Sequence, residues 1–395
     1  MKISIFVHCY PPAKGGLEYL IGQIKQILGK EHEVHVFTGK GRTLDSYKTF
    51  NDFVSDKEDK KNKVHRLNFN KFWQRMANKF FGKLVLKFSL IAPFYFGPIL
   101  NFSKQDKKII ENSDLIIGAG MPTMTFFYSY LFSRKFNKPL ILHPSYHDVS
   151  YYNHCLFFKL ALNRADKVIY QTDQEKKGLI KNYNVDPRKM VQLTYSPYTK
   201  AEIKKRKIVN QKLLNKRKTR IEKNKEITLG FVGQISVRKN LKLLANFLKE
   251  YSDEFNKKGY QLKLILAGVK TNSSPVVEGY FSGLEKQVEI IYNFKDKEEI
   301  FNKIDIFVNP SYEESLGIVN LEAIFYGVPL LVHERAAFIE ILGEEGFIIN
   351  RSTLAKKIDT LFNNIYNFEK QFNILNIYSK GNYSKMLDNL LKSTL

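Results

Sequence analysis

The chain has 395 residues, 44% of them apolar, and a formal net charge of +24. That length and apolar content suffice for two domains with sizeable cores and exclude a globally disordered chain. The charge predicts attraction to something anionic, whether nucleic acid, an anionic membrane or phosphorylated substrates, although a compositional bias toward Lys, Asn, Ile and Phe accounts for part of it.

Two cysteines, Cys9 and Cys155, lie far apart and match no metal-ligand spacing, as expected of a reduced, cytoplasmic protein. The apolar stretch Ile3 to Val7 is too short for a signal sequence and reads as a strand. Phe88 to Ser103, interrupted by Pro93 and Pro98, falls short of the roughly 20 residues a membrane span needs.

In chain order, KISIFVH (2–8) reads as a buried strand. The loop HCYPPAKGGLEYL follows: Pro11 and Pro12 stiffen it, and Gly15 and Gly16 permit unusual dihedrals and close approach before a helix over Glu18 to Leu28. EVHVFT (33–38) is the next strand. From Lys61 to Gln105 there is no acidic residue. Within that stretch Lys71, Arg75, Lys79, Lys83 and Lys87 recur beside Phe72, Met76, Phe80, Leu84 and Phe88, with Trp73 and Phe81 on the apolar side. The spacing predicts a helix with a basic stripe along an apolar one, resembling an interfacial membrane binder. Phe94 to Leu100 extends the same expected patch, so 71–102 is the candidate anionic-membrane contact. A buried helix with solvated lysines and a nucleic-acid contact stay open.

Further strands are DLIIGA (114–119), PLILH (139–143), KVIYQT (167–172) and MVQLTY (190–195). After the second of these comes HPSYHD, with His143 and His147 four residues apart. No third ligand has a sensible spacing, which excludes a zinc site. Thr172 and Glu175 read as a capping box in front of a helix. The polar, basic stretch 204–226 reads as an interdomain linker. Alternation then restarts: strands at 227–233, 261–268, 288–293, 305–311 and 329–333, with a helix over Leu241 to Phe255. Such alternation predicts parallel sheets covered by helices on both faces.

The segment DIFVNPSYEESLGIVNLEAIFYGVPLLV, Asp305 to Val332, carries the chemistry. A strand ends at Asn309-Pro310-Ser311, and a helix begins near Ile318. Free N–H groups and the positive dipole end of that helix suit a phosphate. Gly317 lets the backbone approach closely. Glu322, one turn into the helix, can accept hydrogen bonds from a diol, and Glu314 lies where a second hydroxylated group would sit.

The spacing Glu314-x7-Glu322, within NPSxxESLGIxxxEAxxxGVP, resembles the signature of glycosyltransferase family 4, the group 1 glycosyl transferases. The resemblance implies an α/β GT-B fold, with two Rossmann-like domains facing a central cleft and a C-terminal helix crossing back to the N-terminal domain. It implies a retaining enzyme in which Glu314 binds donor-sugar hydroxyls, Glu322 binds ribose hydroxyls, and Ser315, Leu316, Gly317 and Ile318 meet the diphosphate. GFVGQISVRKN (230–240) resembles the family's G-R-x-x-x-x-K-G. Lys239 stands at the lysine position, and fixed cations there stabilise the charge that develops on the leaving diphosphate. Gln234 replaces the usual arginine, Arg238 is the candidate replacement cation, and Asn240 replaces a common glycine. HCYPPAKGGLE resembles the family's PPxxGGxE loop, so Gly15 and Gly16 face the donor. His147 matches the histidine that reaches the reacting centre. Ala336 and Ala337 replace the family's Gly-Gly, and Glu340 follows them.

The expected divisions are 1–203 (acceptor-binding), 204–226 (linker), 227–375 (donor-binding) and 376–395 (returning helix). The expected function is transfer of a sugar from a nucleotide-sugar to a glycan or lipid-linked acceptor in bacterial surface polysaccharide synthesis. The expected place is the cytoplasm, peripheral at the inner face of the membrane. No essential metal, no cofactor and no nucleic-acid partner are expected. A nucleic-acid-binding or membrane-binding non-enzymatic protein and a GT-B-like sugar-nucleotide epimerase remain as alternatives.

Overall fold

The computed structural model describes residues 1–13, 15–54, 62–81, 92–147, 155–311, 314, 316–342, 348–349, 353–363 and 368–394. The chain divides into two compact units, Met1–Thr194 with Ser384–Leu395, and Tyr195–Tyr383. No helix among the described residues is long and apolar enough to cross a membrane.

The first unit is built on strands β1 (Lys2–Val7), β2 (Glu33–Gly39), β3 (Val64–Leu67), β4 (Leu115–Ala119), β5 (Leu140–His143), β6 (Lys167–Tyr170) and β7 (Met190–Gln192). They form one sheet in the order β3-β2-β1-β4-β5-β6-β7, and every pairing is parallel. β1 is buried continuously from Ile3 to Val7, because helices cover both faces of a parallel sheet and leave no side for a polar residue to escape. Helices α1 (Gly16–Leu28) and α2 (Met124–Phe136) are two of these covers. Phe6 of β1 stacks on Phe37 of β2 at 5.3 Å and on Phe132 of α2 at 5.8 Å, joining strand and helix in one aromatic core.

The second unit has strands β8 (Glu226–Ile235), β9 (Gln261–Lys270), β10 (Val288–Tyr292), β11 (Ile306–Asn309), β12 (Leu330–His333) and β13 (Ile348–Ile349). Their order is β10-β9-β8-β11-β12-β13, again all parallel. Helices α3 (Lys200–Asn224), α4 (Lys242–Lys257) and α5 (Ile318–Phe325) belong to this unit. In both sheets the first strand is central and the winding direction reverses beside it. The reversal lies between β1 and β4, and again between β8 and β11. Open parallel sheets take ligands outside the carboxyl ends of their strands at such a switch point.

Two expectations are corrected. The stretch 204–226 is no linker: it is most of α3, which starts at a Thr199–Glu202 capping box and buries Ile203 and Ile221 in the second unit's core. Phe94 to Leu100 does not extend an exposed patch. Phe96 and Leu100 are buried in the first unit's core, and Phe69 and Leu100 form a bridge. Upstream, an α-helix over Lys71–Met76 passes into a π-helical turn over Ala77–Phe81. Phe72, Trp73 and Phe80 are exposed there, while Lys83, Leu84, Lys87 and Phe88 lie outside the described residues.

Candidate active site

The second unit gathers most of the motif residues at the switch point of its sheet. β8 ends at Ile235 and the chain turns through a 3₁₀ segment, Val237–Lys239. β11 ends at Asn309, and the loop after it leads into α5. The Lys239 ammonium donates to both carboxylate oxygens of Glu314, at 3.0 Å to Oε2, and both side chains are largely buried. This pair ties the loop after β8 to the loop after β11. Asn240 adds a second tie, donating from Nδ2 to the Pro310 carbonyl at 3.1 Å. Its φ is 55°, in the left-handed region where glycine is the easiest residue and asparagine next. Thus Asn240 keeps the backbone shape that a glycine usually supplies and contributes a hydrogen bond as well.

The start of α5 is made for close approach. Gly317 sits at its N-cap with φ 67°, and a Cβ there would come within 2.7 Å of the Asn320 side chain. Among the described residues no side chain caps this helix; the Asn320 N–H turns back to the Gly317 carbonyl at 2.8 Å, and the Ile318 and Val319 N–H groups lie at the positive dipole end without an intrahelical acceptor. Leu316 is buried in the core and anchors the loop from below. Asn309 and Asn320 fix the loop from behind: Asn309 Nδ2 donates to Asn320 Oδ1 at 2.8 Å, and Asn309 Oδ1 accepts from the Ser311 N–H. Ser315 lies outside the described residues.

Glu322, on the first turns of α5, is buried and accepts a hydrogen bond from Lys297. Burial raises its carboxyl above the ordinary carboxylate range, and the Lys297 charge opposes that rise. Gln234 is half-buried in β8 opposite Val269, and Arg238 is exposed. Neither is held on the Lys239–Glu314 pair by a described contact. Ala336 and Ala337 are buried in the loop after β12.

The remaining candidates belong to the first unit. Gly15 has an extended backbone, φ −176°, so unusual dihedrals are not its reason. A Cβ there would fall 2.0 Å from Glu18 Oε2; the glycine makes room for that carboxylate. Gly16 opens α1. His147 is half-buried after β5, next to Tyr146, whose N–H donates to Glu175 at 2.6 Å. Glu175 also accepts from the Gln171 N–H, and burial outweighs these bonds to push its carboxyl up to about 7. His143 is fully buried and held neutral, lowered to about 4 by burial.

Among the described residues one cluster brings metal-ligating atoms together: His8, Cys9 and Glu18 within 4.8 Å. A metal there would require the Cys9 thiolate. Burial and the Glu18 charge push that thiol well up, and His8 Nε2 already faces Glu18 Oε1 at 3.3 Å.

Lys297 was not foreseen. It lies 25 residues before Glu322 at the start of a separate helix, Lys297–Lys303, and carries no local motif.

Two parallel doubly wound units, each with its loop residues at a sheet switch point, define a GT-B chain. Similarity to known proteins agrees. HepE of Anabaena, solved in complex with UDP, superposes with a TM-score of 0.66 over all of both chains at 16% identity. WaaG, a glycosyltransferase involved in lipopolysaccharide biosynthesis, gives 0.65 over 98% of each chain at 16% identity. The capsular polysaccharide biosynthesis glycosyltransferase CapM of Staphylococcus aureus is 26% identical over 215 residues, 53% of this chain and 55% of that one. The O-antigen chain mannosyltransferase RfbU of Salmonella typhimurium is 22% identical over 224 residues, 54% of this chain and 57% of that one. The chain spans about half the length of these curated relatives. Residues 226–364, which lie within the second unit, match the family model of glycosyl transferases group 1.

Proposed function

We propose that this protein is a glycosyltransferase that moves a sugar from a nucleotide-sugar, held by the second unit, to a glycan or lipid-linked acceptor during surface polysaccharide synthesis. The observation that carries the reading is the meeting of Lys239, Glu314 and the uncapped start of α5 at the β8/β11 switch point, with Glu322 one turn further on. Such a place offers a cation and N–H groups to a diphosphate, and carboxylates to sugar and ribose hydroxyls. In the free protein Glu314 occupies Lys239. Donor binding would exchange that partner, with the ammonium turning to phosphate and the carboxylate to a sugar hydroxyl.

The family resemblance supports retention of configuration. The bond from the anomeric carbon to the diphosphate oxygen breaks, a bond to the acceptor oxygen forms on the same face, and the acceptor proton passes to the leaving phosphate. The chain's part is then positioning and charge stabilisation. Arg238 is the exposed cation closest in sequence to Lys239 and is proposed to take the place of the arginine that Gln234 lacks. His147, Gly15 and Gly16 are assigned to the reacting end of the donor, and Ser315 to Ile318 to the diphosphate. No metal ion and no cofactor enter this scheme. The capsular and O-antigen relatives support the pathway class, and the UDP complex of HepE makes UDP the first nucleotide to try.

A thermal-shift screen against UDP, GDP, ADP and CMP tests the reading. A ligand at 100 times its dissociation constant stabilises by about 2.7 kcal/mol. One nucleotide should raise Tm clearly, and the rise should vanish in Glu322→Ala and Lys239→Ala. If no nucleotide shifts the parent, the donor site is misassigned.

A further inference from the structure

Both glutamates of the motif are paired with a lysine, but the pairs differ. Lys239 is as deeply buried as Glu314, whereas Lys297 is half-exposed and reaches down onto a buried Glu322. Glu322 therefore faces solvent through Lys297. We propose that Lys297 is a positioning residue for the nucleoside end of the donor: its ammonium keeps the Glu322 carboxylate charged and aimed, and so sets the acid limit of nucleotide binding. The proposal rests on the donor-site reading above.

The geometry holds Lys297 in place from two sides. Asp296 caps its helix, accepting from the Glu298 N–H at 2.8 Å. Glu298 in turn pairs with Arg206 of α3 at 2.6 Å, and the Arg206 guanidinium lies 4.8 Å over the ring of Tyr326, at the end of α5. The helix start that carries Lys297 is thus clamped to the helix that carries Glu322. Among the described residues, few charged or titratable groups bear on Glu322. Lys297 touches it, and Tyr326 faces it from the same helix. Glu298, Asp296 and Arg206 bear on Tyr326.

The consequence is a matter of sign. A carboxyl raised by burial takes up its proton at higher pH than an exposed one, and a cation beside it opposes this. Removing Lys297 removes the opposition. The carboxyl then stays protonated to higher pH, and a ribose diol loses the charged acceptor it would bond. A merely structural role for Lys297 would weaken binding equally at every pH.

The test is calorimetric titration of the full chain with UDP, and with GDP and ADP in parallel, across a pH series from about 4 to 9, which starts within the ordinary carboxylate range and passes beyond the imidazole range. Lys297→Met should lose about tenfold in affinity at the acid end for each unit that the Glu322 titration moves, and recover toward the parent at the alkaline end. Lys297→Arg should follow the parent profile. Glu322→Gln should bind weakly and keep only the acid limb of the nucleotide's own terminal phosphate, whose second pKa is about 6 and which every variant shares. Thermal melts check that each variant folds. A parent that binds a nucleotide while Lys297→Met shows an unshifted profile overturns the inference and leaves the donor site standing. A parent that binds none of the three overturns the donor site and this inference together.

Discussion

Glu322 has a cost for the fold as well as a use. Its carboxyl is raised by burial, and Lys297 only partly offsets this. A carboxyl whose folded pKa exceeds its unfolded value binds more protons when folded, so its contribution to stability is present at acid pH and is lost as pH rises through the folded pKa. Glu322→Gln removes that loss. The variant should therefore melt above the parent at neutral pH, by a margin that shrinks to nothing as pH falls toward the ordinary carboxylate range, while its nucleotide binding collapses. Melting curves at several pH values check this. A variant less stable than the parent at neutral pH would mean that the Lys297 pair more than repays the burial. Sites that bind charge commonly trade stability for function in this way.

At the scale of elements, α3 shows why one stretch hides its structure in the sequence while its neighbours display theirs. The strands are legible because short, mainly apolar runs without polar alternation, such as ITLGFVG and DIFVN, need cover on both faces. The buried stripe of α3 is Ile203, Arg206, Asn210, Arg217 and Ile221, with Leu214 partly buried among them. The spacing is helical, but half its members are polar, so hydrophobic periodicity does not reveal it. They are buried because each finds a carbonyl or an acid. Asn210 donates to the Phe325 carbonyl at 2.7 Å, and Arg217 donates to the Gly327 and Phe301 carbonyls. The helix thereby braces the end of α5. Glu314 and Glu322 were legible because loop and helix are contiguous in sequence, and Lys239 because its turn has a fixed spacing. Lys297 reaches Glu322 only through the fold. Asn240 was read as a departure, yet its left-handed backbone and its bond to Pro310 preserve what the glycine does. Arg217→Met should strip the Gly327 carbonyl of its charged donor and leave the Phe301 carbonyl only the Ile304 N–H, and hydrogen bonds to a charged donor are worth about 1.5–3 kcal/mol each. Denaturant unfolding should show a loss of that order, against a change within about 0.5 kcal/mol for Lys218→Met on the exposed face of the same helix.

For the whole molecule, the excess of 24 positive charges matters through where it meets apolar surface. The segment Lys71–Phe81 exposes Phe72, Trp73 and Phe80 beside Lys71, Arg75 and Lys79. Its position is held by Gln74, fully buried, whose amide accepts from the Ile99 N–H and donates to Asn78. Exposed aromatics beside lysines on a fixed platform suit an anionic bilayer surface, where rings enter the headgroup boundary and each nearby cation contributes about 1 kcal/mol. Trp73 is the chain's one tryptophan and is 57% exposed, so tryptophan emission, excited at a wavelength the 22 tyrosines do not absorb, reports on this segment alone. Vesicles containing phosphatidylglycerol should shift the emission to the blue, and vesicles of phosphatidylcholine should not. Salt should reverse the shift, since the Debye length falls from about 8 Å at physiological ionic strength to about 3 Å at 1 M. Replacing Lys71, Arg75 and Lys79 together with glutamine should abolish the shift and leave nucleotide binding by the second unit intact. An emission maximum indifferent to anionic lipid would rule out this membrane contact and leave the excess charge to composition.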